Sequence, residues 1–305
     1  MSPTPSWTPA EARAAGLSRG RLRGSSYVRL AHGLTARLDD AIDDVERLQL
    51  LRRLLPDDAA FSHATAAAVL GAPVDLPARA HIALTPRRVL PQRAQFVTHA
   101  RRLTDADVVR CRGLPVTSGA QTFLDLAATL PPWELVAVGD ALLRAGHADA
   151  ASLAGRLARA ARVRGIVRAR DCAGLLSPLS MSRPESVIRY WLTVSHLPTP
   201  TPQVPVHDRW GRVVAHADLG YEDWKVALEY EGRLHADPEQ FGRDVDRYSL
   251  MAADGWLVLR FAGRHLHGPG TVLDRTRRAL LSRGWRDPAV DHRHLASDTP
   301  EWSAR

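Results

Sequence analysis

The sequence predicts a multidomain protein of the α/β (α+β) class. Its 305 residues exceed the length of an ordinary single domain, and 45% of them are hydrophobic, which is enough for more than one core. Helical and strand-like patterns are mixed along the whole chain. Over residues 184–283 they follow the order α-β-β-β-α-β-α, which predicts one mixed domain near the end of the sequence.

The patterns divide the chain into four segments. Residues 1–40 are predicted to form a truncated winged helix-turn-helix module, and residues 41–180 a mixed α/β middle domain with an arginine-rich helical connector. Residues 181–290 contain the α-β-β-β-α-β order, and residues 291–305 are polar and predicted to be a disordered tail.

Composition excludes several classes of protein. No apolar run approaches the about 20 residues that cross a bilayer, and the N-terminus has no apolar signal core. We therefore expect a cytoplasmic protein with no membrane association. The two cysteines, Cys111 and Cys172, form no CxxC pair, so they support neither a disulfide scaffold nor a cysteine-based zinc site.

The positive charge is concentrated in two stretches. The net charge is +8, and Lys225 is the only lysine among 41 basic residues. Residues 11–38 hold six arginines against one acid, and residues 151–183 hold seven against one. Such patches suggest contact with a polyanion, whereas the alternative is a pair of solvated, arginine-rich helix faces.

The first segment has the element order of a small DNA-binding module. A helix is predicted from Pro9 to Gly16, a second helix over Arg19–Arg23, and a hairpin from strands at Tyr27–Leu30 and Leu34–Ala36. In a winged helix-turn-helix the second helix would present Arg19, Arg21 and Arg23 to DNA. The alternative is an N-terminal arm that packs on the next domain.

The middle segment mixes helices and strands but contains no constellation that predicts catalysis. Helices are predicted at 41–56, Ala59–Leu70, Ala120–Leu130, 133–145 and 149–162, and strands at His81–Leu84 and Gln95–Thr98. His63, His81 and His99 lack the spacing of metal ligands, so we expect ordinary structural or surface histidines.

The last large segment has the clearest element pattern. A helix is predicted over about Pro184–Ser195, with Ser182 as its cap and Glu185 in its first turn, where the helix dipole favours an anion. The following elements are strands at Gln203–His207, Arg212–Leu219 and Val226–Glu231, a helix at Pro238–Ala253, a strand at Trp256–Phe261 and a helix at Thr271–Arg283.

Pairing arithmetic brings acidic residues together in this segment. If the chain reverses about the Asp223–Trp224 peptide, paired residues have numbers that sum to 447. Asp218 then opposes Glu229, and Glu231 lies on the same face, so three carboxylates converge. Mg²⁺ would offset their repulsion, and Glu185 could add a fourth carboxylate. The alternative is a solvated face whose acids repel one another little.

These residues carry a resemblance to a nuclease superfamily. Asp218, followed by Glu229-Tyr-Glu231-Gly232 and then His235, resembles the motif of PD-(D/E)xK nucleases, in the branch similar to very-short-patch-repair endonucleases. The αβββαβ order is the restriction-endonuclease-like core of that superfamily. Further matches are Pro184-Glu185, Gln203, Arg243-Asp244 with Arg247, and Gly255–Phe261.

The resemblance implies roles for the acidic residues. Asp218 and Glu229 would hold Mg²⁺ or Mn²⁺. Glu231 stands where the superfamily usually has a lysine, and His235 is the candidate that replaces it in proton transfer. Lys225, at the hairpin turn, is a weaker candidate because it lies farther along the strand.

Two arginines of the following helix have two open interpretations. Arg243 and Arg247 lie one turn apart and could hold phosphate groups. They could instead pair with Glu239 and Asp244 as ordinary surface ion pairs, an arrangement that the four-residue spacing favours for Arg243.

The front of the chain resembles a second family. Residues Ala14–Leu22 and Tyr27–Gly33, together with Gly113–Ser118 and Thr122–Leu126, resemble the abortive-infection type IV antitoxin family (AbiEi). This resemblance implies DNA as a partner, with a toxin-like or other protein as a further one.

Two functions therefore stand as hypotheses. The first is a divalent-metal-dependent DNA endonuclease that hydrolyses phosphodiester bonds and holds DNA with its N-terminal region. The second is a non-catalytic, antitoxin-like transcriptional regulator that binds DNA. The retained acids favour the enzyme, whereas the missing lysine and the neutral charge of residues 184–290 favour the regulator.

Overall fold

The protein consists of two compact units, Met1–Gly174 and Leu175–Arg305. The computed structural model describes residues 5–37, 43–90, 93–208, 210–232 and 238–288, with 238–241, 243 and 244 described by their backbone alone. Both units mix helices and strands, which confirms the predicted fold class. The predicted tail, 291–305, lies outside the described residues. Among the described helices, none has the length and apolar character needed to cross a bilayer.

The first unit begins with a three-stranded antiparallel sheet. Its order is β1-β3-β2, from β1 (Ser6–Trp7), β2 (Tyr27–Ala31) and β3 (Leu34–Arg37). Helix α1 (Pro9–Ala14) follows β1 and starts with a capping box, in which Thr8 and Glu11 satisfy each other's backbone N–H groups. The predicted hairpin is confirmed, and β1 adds a strand that the sequence pattern did not predict.

The predicted second helix of this module is wrong. Instead of a helix over Arg19–Arg23, the chain makes a single 3-10 turn at Arg21–Arg23. Gly20 and Gly24 flank this turn, and a segment so short cannot offset the cost of starting an α-helix. The described chain therefore has no recognition helix of the helix-turn-helix kind at this place.

The rest of the first unit is a five-stranded mixed sheet with helices. The sheet order is β6-β5-β4-β8-β7. The strands are β4 (Ala60–Phe61), β5 (Ala80–Leu84), β6 (Phe96–Ala100), β7 (Val108–Cys111) and β8 (Leu114–Thr117). The helices are α2 (Asp44–Arg52), α3 (His63–Val69), α4 (Gly119–Leu126), α5 (Pro132–Arg144), α6 (Ala150–Ala158) and α7 (Ile166–Ala173).

Two parts of this unit differ from the sequence-based prediction. The alanine-rich segment begins with β4 rather than with helix, because Phe61 pairs with Ile82 and Val116 at the centre of the sheet and tertiary pairing outweighs local propensity. The hairpin β7–β8 was not predicted. Its two-residue turn places Arg112 at φ 50° and Gly113 at φ 78°, which matches the twist of the flanking strands.

The second unit has the predicted element order. It runs α8 (Arg183–Thr193), β9 (Thr201–His207), β10 (Val213–Tyr221), β11 (Val226–Glu231), α9 (Pro238–Ala253), β12 (Leu257–Ala262) and α10 (Gly270–Ser282). The sheet order is β12-β11-β10-β9, with β11 and β12 parallel and the other pairs antiparallel. A 3-10 turn at Gly263–His267 was not predicted.

The predicted register of the β10–β11 hairpin is confirmed. Leu219 pairs with Leu228, Gly220 with Ala227 and Tyr221 with Val226, so each pair of numbers sums to 447. Helix α9 packs against this sheet through Met251, which lies in one buried cluster with Ala227 of β11 and Trp256. The sheet and α9 therefore determine the surroundings of Asp218 on β10 and of Glu229 on β11.

Candidate functional site

Asp218 and Glu229 lie next to each other where the paired part of β10 and β11 ends. Asp218 directly precedes Leu219, whose partner Leu228 directly precedes Glu229. The Oδ2 atom of Asp218 accepts a hydrogen bond of 2.8 Å from the backbone N–H of Tyr230, so a carboxylate continues the ladder in place of a backbone carbonyl. The predicted juxtaposition of these two acids is therefore present.

Glu229 is a buried carboxylate with only part of its hydrogen-bonding capacity used. Its exposed fraction is 3%. Its Oε2 atom is 3.0 Å from Nη2 of Arg247, which comes from α9. Its Oε1 atom is buried and accepts no hydrogen bond from the residues that the structure describes. An unsatisfied buried oxygen of this kind is costly, so the site favours an additional proton or cation.

The pKa values of both acids reflect this shortage of positive charge. Burial and the nearby charge of Asp218 raise the pKa of Glu229 to about 7, and Arg247 only partly opposes them. Burial also raises the pKa of Asp218, against the opposing effects of the Tyr230 N–H and Arg247. One guanidinium group thus lies between a buried acid, Glu229, and the half-buried Asp218, and it only partly opposes the rise in their pKa values.

We expect Glu229→Gln to stabilise the metal-free protein at alkaline pH. With a pKa of 4.5 when unfolded and about 7 when folded, Glu229 binds a proton in the native state that the unfolded state has lost. Stability therefore falls as pH rises through this window. The variant should gain about 3 kcal/mol in free energy of unfolding at pH 8 and less than about 1 kcal/mol at pH 5.

Urea unfolding in EDTA at these two pH values measures the gain. Glu222→Gln is the matched control, because Glu222 is an exposed acid on the turn of the same hairpin. A Glu229→Gln protein that is less stable than the wild type at pH 8 would contradict the burial of an incompletely compensated charge.

Glu185 lies close to this pair but is used by its own helix. Its Oε2 atom accepts a 2.8 Å hydrogen bond from the backbone N–H of Met181, and its Oε1 atom accepts one of 2.7 Å from Ser182. Gln203 of β9 approaches the same carboxylate at 3.4 Å. The charge of Glu185 contributes to the raised pKa of Glu229, so the three acids share one electrostatic environment.

Glu231 is directed to other partners, so the predicted convergence of three strand carboxylates is wrong. Glu231 forms an ion pair with Arg260, and its Oε1 atom accepts a 3.3 Å hydrogen bond from the Tyr248 hydroxyl. The parallel pairing of Glu229 with Arg260 explains this, because it places a cation beside the Glu231 carboxylate. No three carboxylates of the described residues lie close enough together to share one ion.

The remaining candidates near this site have mixed outcomes. Arg247 faces Glu229, whereas the prediction placed it on phosphate or on a surface ion pair. His235 lies outside the described residues, and the side chain of Arg243 does as well. Lys225 donates from Nζ to the carbonyl of Asp254 at 3.0 Å, so it is held at the turn.

The three predicted DNA-contacting arginines of the N-terminal module lie on the surface. Arg19, Arg21 and Arg23 are exposed, and within the described part of the chain no side chain pairs with their guanidinium groups. Arg21 lines a groove of about 370 Å³ together with Tyr27 and Arg37 of the adjoining hairpin. These side chains are therefore exposed to solvent although the predicted helix is not formed.

The second arginine-rich stretch is different, because much of it serves the first unit's own fold. Arg156 and Arg159 form ion pairs with the buried Asp107, at 3.4 and 2.8 Å. Arg168 donates to the carbonyls of Ala127 and Leu130, at 3.0 and 2.8 Å. Arg156, Arg159 and Arg168 are thus engaged within the first unit, and the polyanion contact that the charge count suggested stays a prediction for this stretch.

Comparisons with known proteins add little to this picture. No family model matches the sequence, and no curated protein matches it. Among solved structures, the chain is similar to the RV2827C protein from Mycobacterium tuberculosis, with 20% identity and a TM-score of 0.41. That similarity covers 60% of this chain and 75% of the other, and we base no argument on it.

Sequence reasoning missed two features that the structure brings together. The ion pair of Arg247 with Glu229 was not predicted, because it depends on how α9 packs against β11. Sequence reasoning also set aside His63, His81 and His99, whose side chains form one cluster. Those three residues come from distant parts of the chain, so no local spacing marks them.

Proposed function

We propose that the chain is a divalent-metal-dependent DNA endonuclease, with Asp218 and Glu229 as ligands of one Mg²⁺ or Mn²⁺. The observation that carries the proposal is the pair formed by the buried Glu229 and the half-buried Asp218. Two neighbouring acids share one arginine, and the Oε1 atom of Glu229 has no hydrogen-bond donor among the described residues.

The residues fit the requirements of this kind of ion. Mg²⁺ usually takes one or two carboxylates and keeps several waters, so Asp218 and Glu229 are sufficient without Glu231. When bound, a divalent ion of this kind supplies a hydroxide nucleophile near neutral pH and stabilises charge on a phosphoryl group. DNA phosphodiester hydrolysis needs both.

The chain's own residues support binding and orientation. Asp218 is fixed by the Tyr230 N–H, and Arg247 fixes the Glu229 carboxylate from the side of α9. Because Arg260 and Tyr248 hold Glu231, that residue is not proposed as the base, and His235 remains the candidate for proton transfer. Arg19, Arg21 and Arg23 would contact the DNA backbone.

A cleavage assay on the full chain tests the proposal. Supercoiled plasmid and linear duplex are incubated with the purified protein in Mg²⁺, in Mn²⁺ and in EDTA. We expect nicked or linear product in the first two conditions only. Intact DNA of both forms in both metals, with protein that is folded by circular dichroism, would overturn the proposal.

A second function is favoured by a different observation. Arg247 and Arg260 already form ion pairs with Glu229 and Glu231, so these acids are partly compensated without a metal. A DNA-binding, antitoxin-like regulator needs only the exposed N-terminal arginines. In that case Arg19→Ala/Arg21→Ala/Arg23→Ala weakens salt-sensitive DNA binding, and the plasmid stays intact in every metal.

A further inference from the structure

Three histidines of the first unit meet at one edge of the five-stranded sheet. His81 and His99 lie on the parallel strands β5 and β6, where His99 pairs with Ala83, two positions beyond His81 on the same face. His63 is the first residue of α3, directly after β4, the strand that pairs with β5 on its other side. The topology therefore gathers residues that are 18 positions apart in sequence.

The ring nitrogens of this cluster are within reach of one ion. One nitrogen from each of His63, His81 and His99 lies within 4.8 Å of the others, and His99 Nε2 is 3.0 Å from His81 Nδ1. Zinc binds histidine nitrogen at about 2.0–2.1 Å, so tetrahedral ligands are about 3.4 Å apart, and the rings must rotate to reach this arrangement. His63 and His99 now stack at 3.7 Å between ring centres, and that stacking would open.

The surroundings of His63 resemble the support of a metal-binding histidine. Its Nδ1 atom is 3.0 Å from the Ser62 hydroxyl and 3.7 Å from Oδ2 of Asp125. Asp125 has an exposed fraction of 2%, and its Oδ2 atom accepts no hydrogen bond from the described residues. A proton on Nδ1 would be donated to the Ser62 hydroxyl, which leaves Nε2 as the ligand atom. Asp125 lies at ion-pair rather than hydrogen-bond distance, and its Oδ1 atom pairs with Arg101 at 3.1 Å.

One further feature points to the same residue. His63 has φ 50°, a left-handed conformation that is strained in a residue other than glycine and that is concentrated at functional sites. Arg101 Nη2 lies 3.5 Å from His63 Nε2, so metal binding requires this guanidinium group to move away from the ligand atom. The Arg101 side chain is 33% exposed and can turn into solvent.

We propose that His63, His81 and His99 bind one transition-metal cation of the Zn²⁺ class, with the Ser62 hydroxyl as the hydrogen-bond partner of His63 Nδ1. This site lies in the first unit and does not depend on the nuclease proposal. Nitrogen ligands select Zn²⁺ or Co²⁺ over Mg²⁺, which prefers oxygen.

Calorimetric titration of Zn²⁺ into metal-free full-length protein tests the site. We expect one tight site in the wild type and at least about 100-fold weaker binding in His81→Gln and His99→Gln. His147→Gln, at an exposed histidine of the same unit, should keep the wild-type affinity. Asp218→Asn should keep it as well, which separates this site from the carboxylate pair.

A spectroscopic readout keeps the proposal testable if a histidine variant fails to fold. Co²⁺ added to the wild type should give the strong visible bands of a four-coordinate site in which three ligands are nitrogens. Excess Mg²⁺ should not displace the Co²⁺. A wild type that binds no Zn²⁺ at micromolar concentration would overturn the proposal. So would folded His81→Gln and His99→Gln proteins that bind Zn²⁺ as tightly as the wild type.

Discussion

Asp218→Asn is expected to lower the rate of metal-dependent DNA cleavage by about 10³-fold or more. The substitution keeps an oxygen that can accept the Tyr230 N–H, so the end of the β10–β11 ladder should remain intact. It removes one of the two negative charges that would hold the ion. Losing transition-state stabilisation of about 4 kcal/mol corresponds to about a thousandfold in rate.

The measurement compares single-turnover cleavage, Mn²⁺ affinity and DNA affinity in the same preparation. Mn²⁺ binding should weaken together with cleavage, while DNA affinity in EDTA stays at the wild-type level. Asp223→Asn is the control, because Asp223 is an exposed acid on the turn of the same hairpin. If Asp218→Asn cleaves DNA at the wild-type rate, Asp218 is not a metal ligand.

The sequence contains enough information to place Asp218 beside Glu229, because one turn position determines every pair of an antiparallel hairpin. The register through Leu219 and Leu228 follows from that turn alone. The pattern of apolar residues also determines the order of elements in the second unit. These are local and periodic signals, which survive in any globular context.

The partners of the acids could not be predicted in the same way. Arg260 reaches Glu231 because β12 is parallel to β11, and nothing within either strand specifies that neighbour. Arg247 reaches Glu229 because of how α9 packs on the sheet. Such contacts depend on tertiary geometry, so a sequence-based argument sees three free carboxylates where the structure has two ion pairs.

The histidine cluster shows the same limit more clearly. Short spacings between ligand residues mark metal sites on helices and tight loops in a sequence. His63, His81 and His99 belong to a helix start and two strands, and only the order of the five-stranded sheet brings them together. In the N-terminal module the sequence pattern predicted a helix that the structure does not have, because Gly20 and Gly24 interrupt it.

Arg247→Met should reduce the free energy of unfolding of the metal-free protein by about 3 kcal/mol at pH 8. The variant keeps the aliphatic stem but leaves the buried Glu229, with Asp218 nearby, without its cation. Removing one partner of a buried ion pair is costly because the other charge stays buried. Arg278→Met is the control: Arg278 forms an exposed pair with Asp274, and its loss should cost less than about 0.5 kcal/mol.

The double variant Arg247→Met/Glu229→Gln separates charge from packing. If the cost of Arg247→Met comes from stranding the Glu229 charge, removing that charge as well should restore most of the lost stability, and the two substitutions will be strongly non-additive. The recovery should be incomplete, because Arg247 also donates to the Tyr248 hydroxyl at 3.0 Å. Additive effects would mean that Arg247 stabilises α9 by packing alone. Strong coupling would instead mean that this pair of acids needs a cation. Mg²⁺ could then take the place of the guanidinium group, and it should raise the stability of Arg247→Met more than that of the wild type.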